Sequence, residues 1–107
     1  MRQIVNTTDG SYDVLEVQEV PDPEPDSDEI LISVKASGIN FADILARKGI
    51  YPDAPSKPCV MGYEVAGTVE AVGEHVDQKW MNEPVIAMTR FKGQAEKVLV
   101  KPKQVYK

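Results

Sequence analysis

Ala36-Ser37-Gly38-Ile39-Asn40-Phe41-Ala42-Asp43 and Met61-Gly62-Tyr63-Glu64-Val65-Ala66-Gly67-Thr68-Val69-Glu70-Ala71-Val72-Gly73 decide how this chain folds. The first completes a β-rich run, Glu29 to Ala36, in which Ile30, Ile32 and Val34 share one face. Asn40 then resembles a helix cap, with Asp43 at the third position. Phe41, Ile44 and Leu45 fall on one helical face and Gly49 supplies a stop, so the spacing predicts a short helix over Phe41 to Lys48. In the second stretch Val65 to Val72 reads as a strand broken by the small residues Ala66, Gly67 and Ala71.

Working outward, Arg2 to Thr7 and Val14 to Val20 read as strands of an opening hairpin turned at Asp9-Gly10. Pro21-Asp22-Pro23-Glu24-Pro25-Asp26 removes backbone donors at alternate positions and is a loop. So is Ile50 to Pro58, with Pro52, Pro55 and Pro58, which could wall a pocket. Gly73-Glu74-His75 reads as a turn. Pro84 to Thr89 and Gln94 to Lys101 read as further strands, joined by a turn at Lys92-Gly93. Many short strands with one helix point to an antiparallel barrel or sandwich and exclude a doubly wound sheet.

A length of 107 residues is one domain's worth, too short for a barrel plus a nucleotide-binding domain. No apolar run approaches the ~20 residues of a membrane helix, and the start lacks a signal-peptide core. A reducing, cytoplasmic setting is the expectation. Cys59 is the single cysteine, so neither an internal disulfide nor a four-thiolate zinc lobe can form. The net charge of −5 argues against nucleic acid. Charged residues from Asp9 to Glu29 are all acidic, and from Arg90 to Lys107 all basic except Glu96, which reads as solvated strand faces.

In order and spacing, the two motifs resemble those of the GroES-like domain that opens medium-chain dehydrogenases and reductases. The resemblance covers nearly the whole chain and fades between His75 and Pro84. It implies a mainly β, partly open GroES-like barrel with one or two short helices over residues 1–107, on the substrate side of a cleft whose other side is a Rossmann domain absent from this chain. In the zinc enzymes of that family the place of Asn40 is held by a metal-binding Cys and that of Tyr63 by a metal-binding His. Here neither residue is a credible zinc ligand, so the resemblance points to the zinc-free quinone oxidoreductase branch. The reaction it implies is hydride transfer from NADPH to a quinone or α,β-unsaturated carbonyl, with a homodimer left open for the full-length form. Two other readings stand beside it: a stand-alone, non-catalytic interaction module, and a co-chaperonin, the latter disfavoured by the motifs.

The resemblance also assigns roles. Asn40, followed by Phe41, lies beside the cofactor, where Asn40 either caps the helix or meets the nicotinamide ribose. Tyr51 lines the active-site cleft, positioning a flat acceptor or donating to its oxygen, and Tyr63 shares the substrate pocket. Glu64 is expected to hydrogen-bond backbone around the cleft, and Asp43 to cap the helix in preference to bracing Tyr63. Gly62 and Gly67 do not match a phosphate-binding loop and read as close-packing positions. Most relatives have Gly-Asp-Arg where this chain has Asn82-Glu83-Pro84; Asn can take the left-handed conformation of Gly there.

Overall fold

Each predicted strand forms in the computed structural model, which describes all 107 residues. β1 (Arg2–Asn6) and β2 (Leu15–Glu19) make the opening hairpin. β3 (Ile30–Ser37) leads into α1 (Phe41–Lys48), and β4 (Glu64–Val72), β5 (Pro84–Met88), β6 (Lys97–Val100) and the two-residue β7 (Val105–Tyr106) complete a five-stranded antiparallel sheet in the order β6-β3-β4-β5-β7. The result is mainly β, with one α-helix and short 3-10 turns at Tyr12–Val14, Gln78–Trp80 and Pro102–Gln104.

The core follows from strand alternation. Ile30 and Ile32 of β3, Val65 and Val69 of β4, Val85 and Ala87 of β5, and Val98 and Val100 of β6 close a single cluster, with Ile30, Ile32 and Val69 wholly buried. Fully burying each large side chain contributes about 1.5–3 kcal/mol. Two register shifts in the β3–β4 pair leave Glu70 and Lys35 without a cross-strand partner. Such bulges increase local twist, and here they bend the strands whose ends carry both motifs.

At Gly67 a side chain would collide with the Ser33 carbonyl across this pair. Gly62 has φ +117, and a Cβ there would lie 2.6 Å from the Gln94 amide nitrogen. Both positions are the close-packing sites that the sequence predicts. Asn82 takes φ 63, so it does supply the left-handed turn residue.

Three expectations need correction. The Lys92-Gly93 segment does not fold β5 onto β6; β5 pairs with β4 and β7, β6 pairs with β3, and the segment docks on residues 60–62 instead. The hairpin is not closed tightly at Asp9-Gly10, because Thr7 is joined to Val14 through a wider loop with a 3-10 turn. The helix buries Asp43 and Ala46, whereas Phe41 is 72% exposed. The reason lies in what the helix packs on: the hairpin loop lies close against it at Arg47, Gly10 N–H donating to the main-chain Arg47 O (3.0 Å) and the side-chain Arg47 Nε to Gly10 O (3.2 Å), which suits a small side chain at Ala46.

Candidate functional site

Both motif loops arrive on one side of the barrel. Asn40 is extended (φ −110, ψ 161) at the N-cap of α1, and its backbone N–H donates to Asp43 Oδ2 at 2.8 Å. The Asn40 side chain makes no hydrogen bond into the helix, so its amide is exposed and free. α1 stops at Gly49 (φ 82), and its last turn is fastened by Lys57, whose Nζ donates to Ala46 O (2.6 Å) and Asp9 Oδ1 (2.8 Å). The chain then enters the Pro-rich loop that holds Tyr51.

Tyr51 and Tyr63 meet edge-on, ring centroids 6.4 Å apart at 82°. Phe91 extends the row on the other side of Tyr63, at 5.7 Å and 54°. Aromatic pairs at such distances contribute about 0.5–1.5 kcal/mol beyond area burial. The Tyr63 hydroxyl is buried without a hydrogen-bond partner. Burial above all, then the Tyr51 phenol and the carboxylates of Asp43 and Asp53, push its pKa up to about 12. Tyr63 is therefore a neutral phenol at any physiological pH.

Phe91 was not legible in the sequence as a site residue. It is aimed by strain: Arg90 (φ 67) and Lys92 (φ 74) on either side are both left-handed, at about 1–2 kcal/mol each for residues with a Cβ. Strain of this kind clusters at functional sites. The turn is anchored by Thr89, whose Oγ1 donates to Gly62 O at 2.6 Å and whose N–H donates to Tyr63 O at 2.9 Å. The Arg90 guanidinium lies over the Phe91 ring at 5.4 Å. An aromatic between two cations in a Gly-ended turn is the one signal that could have drawn attention to it.

The expectation for Glu64 is corrected. Its side chain is exposed, makes no hydrogen bond to backbone and lies against the Cα of Gly38, while the bridge to Gly38 N–H is made by the Glu64 main-chain carbonyl at 3.2 Å. Asp43 caps, as expected, with Oδ2; its Oδ1 is buried and unpartnered. Met61 is core, 1% exposed. Burial raises the pKa of the Cys59 thiol. No three His, Cys, Asp or Glu side chains converge as a metal-binding group.

A cavity of about 560 Å³ lies between the hairpin and α1 and includes Asp43 and Met61 but neither phenol. A second hollow of about 440 Å³ runs from Ser37 and Glu64 to Ile86, Met88 and Tyr106, three apolar side chains that are each more than half exposed. The half-buried phenols of Tyr51 and Tyr63 line neither of these two hollows.

Strand order and the placement of the helix between the two motif loops define a GroES-like barrel. Residues 26–106 match the alcohol dehydrogenase GroES-like domain, and the chain belongs to that family. It is 36% identical over 107 residues to the mouse (Mus musculus) synaptic vesicle membrane protein VAT-1 homolog-like, covering 100% of this chain and 26% of that protein. The crystal structure of the human protein of that name superposes with a TM-score of 0.95 at 36% identity, covering 100% of this chain and 35% of that one. The Escherichia coli quinone oxidoreductase complexed with NADPH gives 0.91 at 29% identity, covering 99% and 32%. The chain thus spans about a quarter of the length of the curated relative it matches. No helix is long and apolar enough to cross a membrane.

Proposed function

We propose that these residues are the substrate-side domain of an oxidoreductase that transfers hydride from NADPH to a quinone or α,β-unsaturated carbonyl without zinc. One observation carries the reading: at the places where zinc relatives have Cys and His, this chain has the free amide of Asn40 and the phenol of Tyr63, the latter stacked in an aromatic row. The likeness to a quinone oxidoreductase that binds NADPH supports it.

For the cofactor, the fit is partial. The exposed Asn40 amide can both donate and accept hydrogen bonds at a ribose edge, and Phe41 offers an exposed ring beside it. A Gly-rich strand-loop-helix unit to cradle the phosphates is not among the 107 residues. When bound, NADPH supplies the hydride. The chain's own residues do the rest: the Tyr51, Tyr63 and Phe91 rings offer flat apolar edges on which a planar acceptor is held, the Tyr51 hydroxyl donates to its oxygen, and the Pro-rich loop shields that contact from water. The exposed apolar row Ile86, Met88 and Tyr106 supports placing the nucleotide-binding domain over this face.

The chain alone therefore neither binds NADPH measurably nor turns over. Calorimetric titration of the 107-residue chain with NADPH tests this: no heat of binding is expected, and a clear micromolar isotherm would contradict the division of labour between two domains.

A further inference from the structure

The turn after β5 carries charge that nothing in the chain neutralises. Arg90 and Lys92 are both exposed and neither belongs to an ion pair, whereas Arg2, Lys57, Lys97 and Lys101 each lie within 3.4 Å of a carboxylate. With 17 acidic residues against 12 basic ones, the chain has carboxylates to spare, so the gap is one of placement. Of the three arginines, Arg2 and Arg47 donate to Glu96 and Gly10, and only the Arg90 guanidinium donates to no group of the chain. Both residues of the turn sit on left-handed backbone, φ 67 and 74, which glycine takes without strain and a residue with a Cβ does not. The turn is nevertheless pinned, Phe91 N–H donating to Thr89 O at 2.8 Å and Lys92 N–H to Val60 O at 3.0 Å.

We propose that the acceptor bound on the aromatic row carries an anionic group, and that Arg90, with Lys92 on the other flank of Phe91, selects it. The substrate class is a planar quinone or enone bearing a carboxylate, sulfonate or phosphate. This rests on the reading of the row as the acceptor's place. The Arg90 guanidinium lies 5.4 Å from the Phe91 centroid, and Phe91 lies 5.7 Å from Tyr63. A ring attracts a cation at this range while leaving its charge uncompensated and its N–H donors unused, which a carboxylate partner would not. The planar fork of those donors matches two oxygens of one anionic group. The row also has a direction: Tyr51 ends it on the side of the loop that holds the exposed Asp53, and Phe91 ends it on the side of Arg90. An acceptor whose oxygen meets the Tyr51 hydroxyl therefore extends its anionic substituent away from Asp53 and towards Arg90.

The test titrates the 107-residue chain with anthraquinone-2-sulfonate and with the neutral 2-(hydroxymethyl)anthraquinone, following the Tyr63 and Phe91 ring signals and the Arg90 Nε–H by NMR. The sulfonate is expected to shift all three, to bind about fivefold tighter than the neutral quinone, and to lose that preference in Arg90→Gln and in added salt. Arg90→Gly, which suits φ 67, guards against a variant that does not fold: it should melt no lower than wild type and still lose the preference. Equal affinity for the two quinones, a preference that survives both Arg90 variants, or no binding of the sulfonate at its solubility limit overturns the proposal. So does tighter binding of adenosine 2′-phosphate at Arg90, which would assign the cations to the cofactor's phosphate. Equal affinity leaves the row as a place for neutral acceptors, and the reductase reading is tested apart from it by the NADPH titration.

Discussion

Replacing Gly62 with alanine puts a methyl group where the backbone of the 89–94 segment already lies. The new Cβ would meet Gln94 N at 2.6 Å and the Gly93 Cα and carbonyl carbon at 2.8 Å, atoms that cannot swing aside as a flexible side chain would. Overpacking of this kind costs about 1–3 kcal/mol, and holding a residue with a Cβ at φ +117 costs about 1–3 kcal/mol more. Restricting the unfolded chain offsets only about 0.4–1 kcal/mol. A net loss of about 1–5 kcal/mol follows, against a total of about 5–15 kcal/mol for a domain of this size. The melting temperature should fall by roughly 4 °C or more. The single tryptophan, Trp80, packs against the core and reports unfolding by fluorescence in urea. The same substitution should loosen the aromatic row, because Gly62 O accepts from Thr89 Oγ1 and Gly93 N–H, the bonds that hold the Phe91 turn against Tyr63. A change below about 0.5 kcal/mol, the range of an ordinary surface substitution, would refute the reasoning.

Lys57→Met should destabilise the chain by about 1–3 kcal/mol, since it removes the charged donor that Ala46 O takes beside the Gly49 N–H and leaves Asp9 without its partner; urea denaturation measures it. Tyr63 has a folded-state pKa raised above its unfolded value, so its contribution is fully present below pH ~10 and is lost as pH rises towards about 12; wild type should therefore lose more stability than Tyr63→Phe across that window. At the acid end, Asp22, Asp28 and Glu96 have lowered pKa values, through Lys97, Lys101 and the Arg2 backbone N–H respectively. Their stabilisation is present above the ordinary carboxylate range near pH 4 and is lost as pH falls through the folded values; added salt should flatten that acid limb, because these pairs are solvent-exposed. Elemental analysis of the purified chain should find no stoichiometric zinc.

The parts of the fold that local chemistry dictates were legible. The helix bounds Phe41–Lys48 came from Asn40, Asp43 and Gly49, each acting within one turn. The long-range pairing was not: nothing local in Pro84 to Lys101 says that β6 returns to β3 while β5 stays with β4. Periodicity also misjudged the face of α1, because it counts apolar residues and Phe41, Ile44 and Leu45 outnumber Ala46, whereas the hairpin loop selects for smallness. Tyr51 and Tyr63, which the family resemblance assigned to one cleft, lie edge-on to each other. Phe91 escaped because its placement depends on left-handed φ values at Arg90 and Lys92, residue types that do not advertise such a conformation.

The central claim, a metal-independent reductase half whose aromatic row is phenolic, is met most directly by grafting residues 1–107 into the Escherichia coli quinone oxidoreductase in place of its own corresponding barrel, which they match at a TM-score of 0.91. With the hybrid shown to fold and to bind NADPH, the account predicts NADPH oxidation that requires a quinone or enone and proceeds at an unchanged rate after treatment with a zinc chelator. A folded, nucleotide-binding hybrid that oxidises NADPH with no such acceptor, or one silenced by chelation and restored by zinc, would contradict it.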